Sequence, residues 1–192
     1  MIRDLLLAPN QLTLLRLIFA PLIILCVLAN RWNWAITLFV LAGVSDALDG
    51  LLARWLHQQS VLGRYLDPIA DKLLLSVLFL VLSIAHKIPW RFTVLVLSRD
   101  ITIMVTAAVL YVVVGYRGFR PSIFGKIATN TQVGALFFVL LYQVHHVPWV
   151  FLVRRGFLWI AFAFTLISGV HYAIVTAQRL RQEQNGGTNT PQ

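Results

Sequence analysis

The sequence predicts an all-α integral membrane protein with six transmembrane helices, folded as a single domain over residues 1–180. Hydrophobic residues make up 59% of the 192 positions. They recur along the whole chain in apolar runs of about the 20 residues that a helix needs to cross a bilayer. These runs leave no room for a separate soluble domain.

Turn-forming residues divide the apolar runs into six predicted helices. The helices are expected at residues 12–29, 34–53, 68–86, 91–114, 123–144 and 156–178. Asp67-Pro68, taken alone, is typical of a helix N-cap followed by proline at the first helical position. Residues 181–192 are polar and contain glycine, and we expect them to form a disordered tail.

The basic residues predict the orientation of these helices. With both termini in the cytoplasm, ten of the 16 Lys and Arg residues lie near inner helix ends, and Arg99 lies within the fourth helix. The other five lie near outer ends: Arg31, Lys87, Arg91, Arg154 and Arg155. The outer loops also carry tryptophans typical of an interfacial belt: Trp32, Trp34, Trp90 and Trp149. The positive-inside rule therefore favours cytoplasmic termini.

The formal net charge of +9 points to anionic lipids or phosphates as partners, and not to nucleic acid. A nucleic-acid-binding protein presents its basic residues on one polar face, and this chain has almost no polar domain to carry such a face. The single cysteine, Cys26, lies in an apolar run and excludes an intrachain disulfide and a thiolate metal cluster.

Four of the seven acidic residues lie close together in this basic, apolar chain: Asp46, Asp49, Asp67 and Asp71. On helices the first two share one face and the last two share another, so two facing antiparallel helices would bring all four carboxylates together. Carboxylate oxygens suit Mg²⁺ or Mn²⁺, and two such ions can assist a phosphoryl transfer. Gly50, Ala53 and Gly63 leave space for a base or pyrophosphate to approach the backbone. The window predicts a metal-dependent site at the membrane surface.

Residues 46–71 read Asp-x2-Asp-Gly-x2-Ala-Arg-x8-Gly-x3-Asp-x3-Asp without a departure. This string resembles the signature of the CDP-alcohol phosphatidyltransferase family. Three further motifs look familial: Pro9-Asn10-x2-Thr13-x2-Arg16, Ser98-Arg99-Asp100 and Gly125-Lys126-x2-Thr129. The resemblance covers essentially the whole chain except the tail, and it implies the CDP-alcohol phosphotransferase fold and a homodimer.

The resemblance also implies a reaction and a role for each motif residue. An alcohol hydroxyl would attack the lipid-bearing phosphate of CDP-diacylglycerol and release CMP. With the orientation predicted above, this site would face the cytoplasm, and we expect the protein in the bacterial inner membrane. Asp46, Asp49 and Asp67 would bind the metal, and Asp71 would complete the metal site and act as general base. The residues implied for CDP binding are Gly50, Ala53, Arg54, Gly63, Asn10 and Thr13. Those expected at the acceptor are Arg99, Arg117, Arg120 and Lys126.

The acceptor alcohol depends on residues outside the aspartate window. Relatives that use glycerol 3-phosphate often carry a second Arg in helix four and a second Lys in helix five, where this chain has Ala107 and Ala128. The Ser-Arg-Asp sequence is similar to that of the cardiolipin synthases of the family, whose acceptor is phosphatidylglycerol. We favour phosphatidylglycerol, with glycerol 3-phosphate as the alternative and inositol-type acceptors after both.

Each of these interpretations has a structural alternative. Asp46 and Asp49 could form ion pairs with Arg54 or Arg64, and Arg99 and Asp100 could pair with each other. Three of the acceptor candidates could be positive-inside residues alone: Arg117, Arg120 and Lys126. His171 is typical of a hydrogen-bonded interior histidine. A cation transporter is the rival class of protein, but it would need polar residues across the membrane, and helices two and three are almost wholly apolar beyond their aspartates.

Overall fold

The computed structural model describes residues 8–56, 61–114 and 123–186, and in these ranges the chain is helical with no β-strand. The all-α prediction is therefore confirmed for the described residues. The six helices are α1 Ala8–Leu28, α2 Trp32–Leu56, α3 Val61–Ile84, α4 Trp90–Val114, α5 Ile123–Val144 and α6 Pro148–Gly186.

Helix ends marked by proline differ most from the predicted ones. Helix α3 already begins at Val61, so Asp67 and Pro68 lie inside a helix and the N-cap interpretation is wrong. Proline is tolerated inside membrane helices because neighbouring groups can satisfy the carbonyl that it leaves free. Helix α6 begins at Pro148, the first helical position that proline favours. It continues to Gly186, beyond the predicted start of the tail, while residues 187–192 lie outside the described ranges.

Two turns end their helices in the same way. Asn30 and His86 have φ values of 55° and 56°, the left-handed conformation that ends many helices. After α1, the Arg31 amide donates to the Cys26 carbonyl at 2.8 Å. After α3, the Lys87 amide donates to the Leu82 carbonyl at 2.8 Å. These bonds satisfy carbonyls that the helix end leaves without partners.

The helices enclose one apolar core. Helix α5 packs along α6 and contacts α2 and α3, α1 contacts α2 and α3, and α4 contacts α3 and α6. On α3 the buried side chains Leu75, Leu78 and Leu82 recur at three- and four-residue spacing, as on the inner face of a helix. Between α5 and α6, Gly134 lies against the Phe157 ring so closely that a Cβ atom there would be 2.5 Å from Phe157 Cε1.

Large apolar side chains also cover the outer surface of the bundle. Leu25, Ile101, Ile123 and Leu152 are all more than half exposed. A surface of this kind is typical of contact with lipid or with another protein. Of the described segments, Ile123–Val144 and Pro148–Val175 are long and apolar enough to cross a membrane by themselves.

Candidate functional site

The four aspartates belong to neighbouring ends of two consecutive helices. Asp46 and Asp49 lie in the second half of α2, and Asp67 and Asp71 in the first half of α3. Since only residues 57–60 separate these helices, the two ends are within roughly 18 Å of each other. We call the end of the bundle where α2 ends and α3 begins the aspartate end.

The side-chain arrangement of the predicted donor site stays a prediction. The side chains of the four aspartates lie outside the part of the molecule that the structure describes, as do those of Asn10, Thr13, Ala53 and Arg54. Gly50 and Gly63 lie on α2 and α3. Within the described ranges α2 and α3 do not pack directly against each other, and both contact α1 and α5.

A buried ion pair in α4 is the centre of the polar interior. Arg99 Nη1 donates to Asp100 Oδ1 at 2.6 Å, and both residues are only 6% exposed. A charge in the middle of a membrane helix is costly, so such residues pair with one another and mark functional sites. The mutual pairing anticipated for Arg99 and Asp100 is therefore present.

This pair connects four helices. From α3, Ser76 Oγ donates to Asp100 Oδ2 at 3.2 Å. Arg99 Nη2 donates to Ser168 Oγ of α6 at 3.3 Å and lies 3.4 Å from the Gly125 carbonyl oxygen of α5. Lys72 of α3 interacts electrostatically with Asp100 and with Arg99. The network fixes the position of the guanidinium relative to α3, α5 and α6.

Hydrogen bonds between α3 and α4 show how far the Arg99–Asp100 pair lies from the aspartate end of the bundle. Ser76 contacts Asp100, and the hydroxyl oxygens of Ser83 and Thr93 are 2.5 Å apart. The later residue of α3 thus contacts the earlier residue of α4, so the two helices run antiparallel. Asp71 is five residues before Ser76, which is about 7.5 Å along the helix axis. Measured along α3 and away from the aspartate end, the Arg99–Asp100 pair thus lies within about two helical turns of Asp71.

Two buried nitrogen atoms near this centre have no hydrogen-bond partner among the described residues: Arg99 Nε and His171 Nδ1. His171 lies on α6 one turn beyond Ser168, and its ring packs on Phe124 at 5.5 Å between centroids. An unsatisfied buried polar group costs about 1–3 kcal/mol, so both atoms are candidates for contact with a bound polar molecule.

The remaining acceptor candidates lie in different environments. Lys126 is exposed at the start of α5, whereas Ala128 is completely buried. Thr129 donates to the Gly125 carbonyl one turn back on the same helix, at 3.1 Å. Arg117 and Arg120 lie in residues 115–122, outside the described ranges.

No group of three or more His, Cys, Asp or Glu side chains that could hold a metal ion lies within the described part of the chain. The predicted ligands are outside it. The donor set itself fits a divalent cation, because four aspartates offer only carboxylate oxygens, which Mg²⁺ and Mn²⁺ prefer to nitrogen or sulfur.

Ser76 and Ser168 were not predicted from the sequence. The signal that could have found them is a hydroxyl residue in each of two apolar helices that pack beside a helix containing a charge, since such residues hydrogen-bond across membrane helices. Without helix contacts, many other Ser and Thr residues fit this description equally well.

Comparisons with known proteins agree with the resemblance. The model of the CDP-alcohol phosphatidyltransferase family matches residues 6–167. The chain is 44% identical to the human cardiolipin synthase (CMP-forming) over 105 residues, 54% of this chain and 34% of that protein, so it spans about a third of that relative's length.

Two bacterial relatives match over more of their length. The chain is 36% identical to a probable phosphatidylglycerophosphate synthase of Mycobacterium tuberculosis (strain H37Rv), over 85% of this chain and 78% of that protein. It is 30% identical to a CDP-diacylglycerol--glycerol-3-phosphate 3-phosphatidyltransferase of Bacillus subtilis (strain 168), over 85% of this chain and 92% of that protein.

Proposed function

Because the chain belongs to the CDP-alcohol phosphatidyltransferase family, we propose that it transfers the phosphatidyl group of CDP-diacylglycerol to an alcohol and releases CMP. The observation that carries the proposal is the complete aspartate motif of residues 46–71, within the matched range. The P–O bond to the alcohol forms as the bond to CMP breaks. Nothing in the comparisons supports a transporter.

The aspartates are assigned the chemistry of this transfer. Asp46, Asp49 and Asp67 would hold one or two divalent ions, Mg²⁺ or Mn²⁺, which when bound offset the charge of the pyrophosphate. Asp71 would complete the metal site and accept the hydroxyl proton of the acceptor, provided that one of its oxygens stays free. Gly50, Ala53, Arg54 and Gly63 would form the CDP pocket, with Asn10 and Thr13 near the nucleotide.

For the acceptor we favour phosphatidylglycerol, which makes the product cardiolipin. Arg99 is already paired with Asp100, so its charge is largely offset. Ala128, where a second lysine would favour a dianion, is completely buried and carries no charge. A site in which the Arg99 charge is paired and position 128 carries no charge fits the single charge of a lipid phosphodiester better than the dianion of glycerol 3-phosphate.

Glycerol 3-phosphate is the second candidate acceptor. The observation in its favour is that the relatives covering 85% of this chain are named for phosphatidylglycerophosphate synthesis or for transfer to glycerol 3-phosphate. With this acceptor the cations expected to bind the dianion are Arg99, Arg117, Arg120 and Lys126.

The location of the enzyme is also a proposal. We infer that all six helices cross the bacterial inner membrane and that the aspartate end faces the cytoplasm. Support comes from the exposed apolar side chains on all six helices and from the excess of basic residues predicted for the inner side. A homodimer and contacts with anionic lipids are part of the same proposal.

The test is a competition between acceptors. Purified protein in nanodiscs receives CDP-diacylglycerol, Mg²⁺, and phosphatidylglycerol and glycerol 3-phosphate together, and mass spectrometry identifies the lipid formed. We expect cardiolipin, with CMP released in equal amount. Phosphatidylglycerophosphate as the main product would overturn the choice of acceptor.

Two controls test the mechanism in the same assay. Asp71→Asn should abolish transfer while the protein remains folded and inserted, because an amide cannot accept the hydroxyl proton. Chelation of divalent ions should do the same to the unmodified protein. Turnover that persists without divalent metal, or in Asp71→Asn, would contradict the assigned chemistry.

A further inference from the structure

We propose that His171 contacts the glycerol phosphate group of the acceptor, together with the Nε atom of Arg99. This inference rests on the proposed function and assigns a residue to the acceptor side of that site. The acceptor group is common to phosphatidylglycerol and glycerol 3-phosphate, so it does not depend on which of the two is used.

The first observation is that these two atoms, which have no hydrogen-bond partner among the described residues, belong to one side chain that contacts α6 and one that lies on the next turn of α6. Arg99 Nη2 donates to Ser168 Oγ, and His171 is three residues farther along α6, on the same face one turn away. The His171 ring also packs on Phe124, the residue before Gly125, whose carbonyl lies beside Arg99 Nη2. Arg99 and His171 therefore border one region between α4, α5 and α6.

The second observation is that each side chain has a hydrogen-bonding nitrogen atom that no described residue uses. Arg99 uses Nη1 and Nη2 for protein contacts, and its Nε–H has no acceptor among the described residues. His171 Nδ1 is buried and likewise unpartnered there, and in a neutral ring it either donates or accepts. A hydroxyl group can satisfy either form, and a phosphate oxygen satisfies both donors.

The position along the bundle fits an acceptor that reaches Asp71. Helix α6 runs from the Pro148 turn towards the aspartate end, so His171 lies about 4.5 Å closer to that end than Ser168 does. Asp71 is about 7.5 Å from Ser76 along α3 in the same direction. Glycerol phosphate carries a hydroxyl and a phosphate at opposite ends of a three-carbon chain. Its hydroxyl can therefore reach the level of Asp71 while its phosphate contacts the nitrogen atoms of Arg99 and His171.

Three substitutions separate hydrogen bonding from packing at His171, and a fourth at another histidine is the control. His171→Phe keeps a ring against Phe124 but has no nitrogen. His171→Asn places an amide near the position of Nδ1, whereas His171→Gln places it near Nε2. His145→Ala is the matched control, since this exposed histidine lies in the turn between α5 and α6, at the other end of the bundle.

The readout is CMP release at saturating CDP-diacylglycerol, with phosphatidylglycerol and glycerol 3-phosphate varied in separate series. A further series varies CDP-diacylglycerol at a saturating concentration of the accepted alcohol. Losing a hydrogen bond of this kind should raise the KM of the accepted alcohol about five- to tenfold in His171→Phe. His171→Asn should restore most of the affinity and His171→Gln should not. The KM of CDP-diacylglycerol should stay within about twofold, as should both constants in His145→Ala.

Binding without turnover gives a second readout. In the absence of CDP-diacylglycerol, the accepted alcohol should raise the Tm of the unmodified protein and of His171→Asn, and raise it less in His171→Phe. Equal acceptor affinity in all variants would overturn the role of His171 and leave the proposed transfer intact. An unmodified protein that transfers to neither alcohol would instead overturn the proposed function.

Discussion

At the scale of single residues, the Arg99–Asp100 ion pair is the main polar feature of the described interior. The two groups meet at 2.6 Å with both side chains almost fully buried. Replacing such a pair with apolar residues is often neutral for stability, but removing one partner leaves an uncompensated charge. Stability alone does not require such a pair, and Arg99 Nε has no hydrogen-bond partner in the part of the chain that the structure describes. Both facts are consistent with a role in binding.

Asp100→Ala should lower the free energy of unfolding by about 3–5 kcal/mol, because Arg99 remains buried without its counter-charge. The double substitution Arg99→Met with Asp100→Ala should be markedly more stable than Asp100→Ala, since the buried guanidinium is then removed together with its counter-charge. Thermal unfolding of the purified proteins in one detergent measures both effects.

Activity separates the structural role of this pair from its proposed role in binding. We expect the double variant to regain stability but to have a raised KM for the acceptor, because the Nε donor is gone. If the stable double variant bound the acceptor as tightly as the unmodified protein, Arg99 would be a structural residue only.

At the scale of helices, the apolar runs were sufficient to predict the order of the six described helices, but the starts of α3 and α6 lie seven and eight residues before the predicted ones. Helix α5 has the predicted bounds and α4 differs by one residue at its start, because both are flanked by polar or turn-forming residues. The start of α3 was missed because Pro68 was interpreted as a boundary, although proline is tolerated within membrane helices.

The polar interior could be predicted only in part. Arg99 and Asp100 stand out because they are charges within an apolar run, whereas Ser76 and Ser168 become recognisable only through the packing of α3 and α6 on α4. The arrangement of the aspartates was inferred from helical periodicity, and it stays a prediction because their side chains lie outside the described part.

The contact between α5 and α6 gives a prediction at this scale. Gly134→Val should destabilise the protein by about 1–3 kcal/mol, because the new side chain overlaps the Phe157 ring, which is itself packed on Phe138. Small residues permit close approach of membrane helices in general. Thermal unfolding measures the loss.

Gly156→Val is the matched control for this contact. It places the same side chain in α6, where a Cβ atom has no neighbour within 4 Å. The two variants share the cost of valine in a helix, so their difference isolates the contact with Phe157. Equal Tm values for the two would show that the ring moves aside freely.

At the scale of the whole molecule, three turns form the end opposite the aspartates. The Lys87 ammonium lies over the Trp32 ring, 5.3 Å from its centroid, and Arg154 Nη2 donates to the Lys87 carbonyl oxygen at 3.3 Å. One lysine thus connects the turns after α1 and α3 with the start of α6. Cations with aromatic partners are typical of the boundary between membrane and water.

The proposed orientation predicts which end of the bundle a membrane-impermeant thiol reagent can reach in intact bacteria. In a Cys26→Ser background, we expect Asn33→Cys and His145→Cys to react in intact cells, because both positions are exposed at the outer turns. Gln58→Cys, between α2 and α3, should react only after the membrane is permeabilised. None of the three changes removes a Lys or Arg, so the charge bias that sets the orientation is preserved. The reverse labelling pattern would place the aspartate motif outside the cytoplasm and contradict the proposed access of CDP-diacylglycerol from that side.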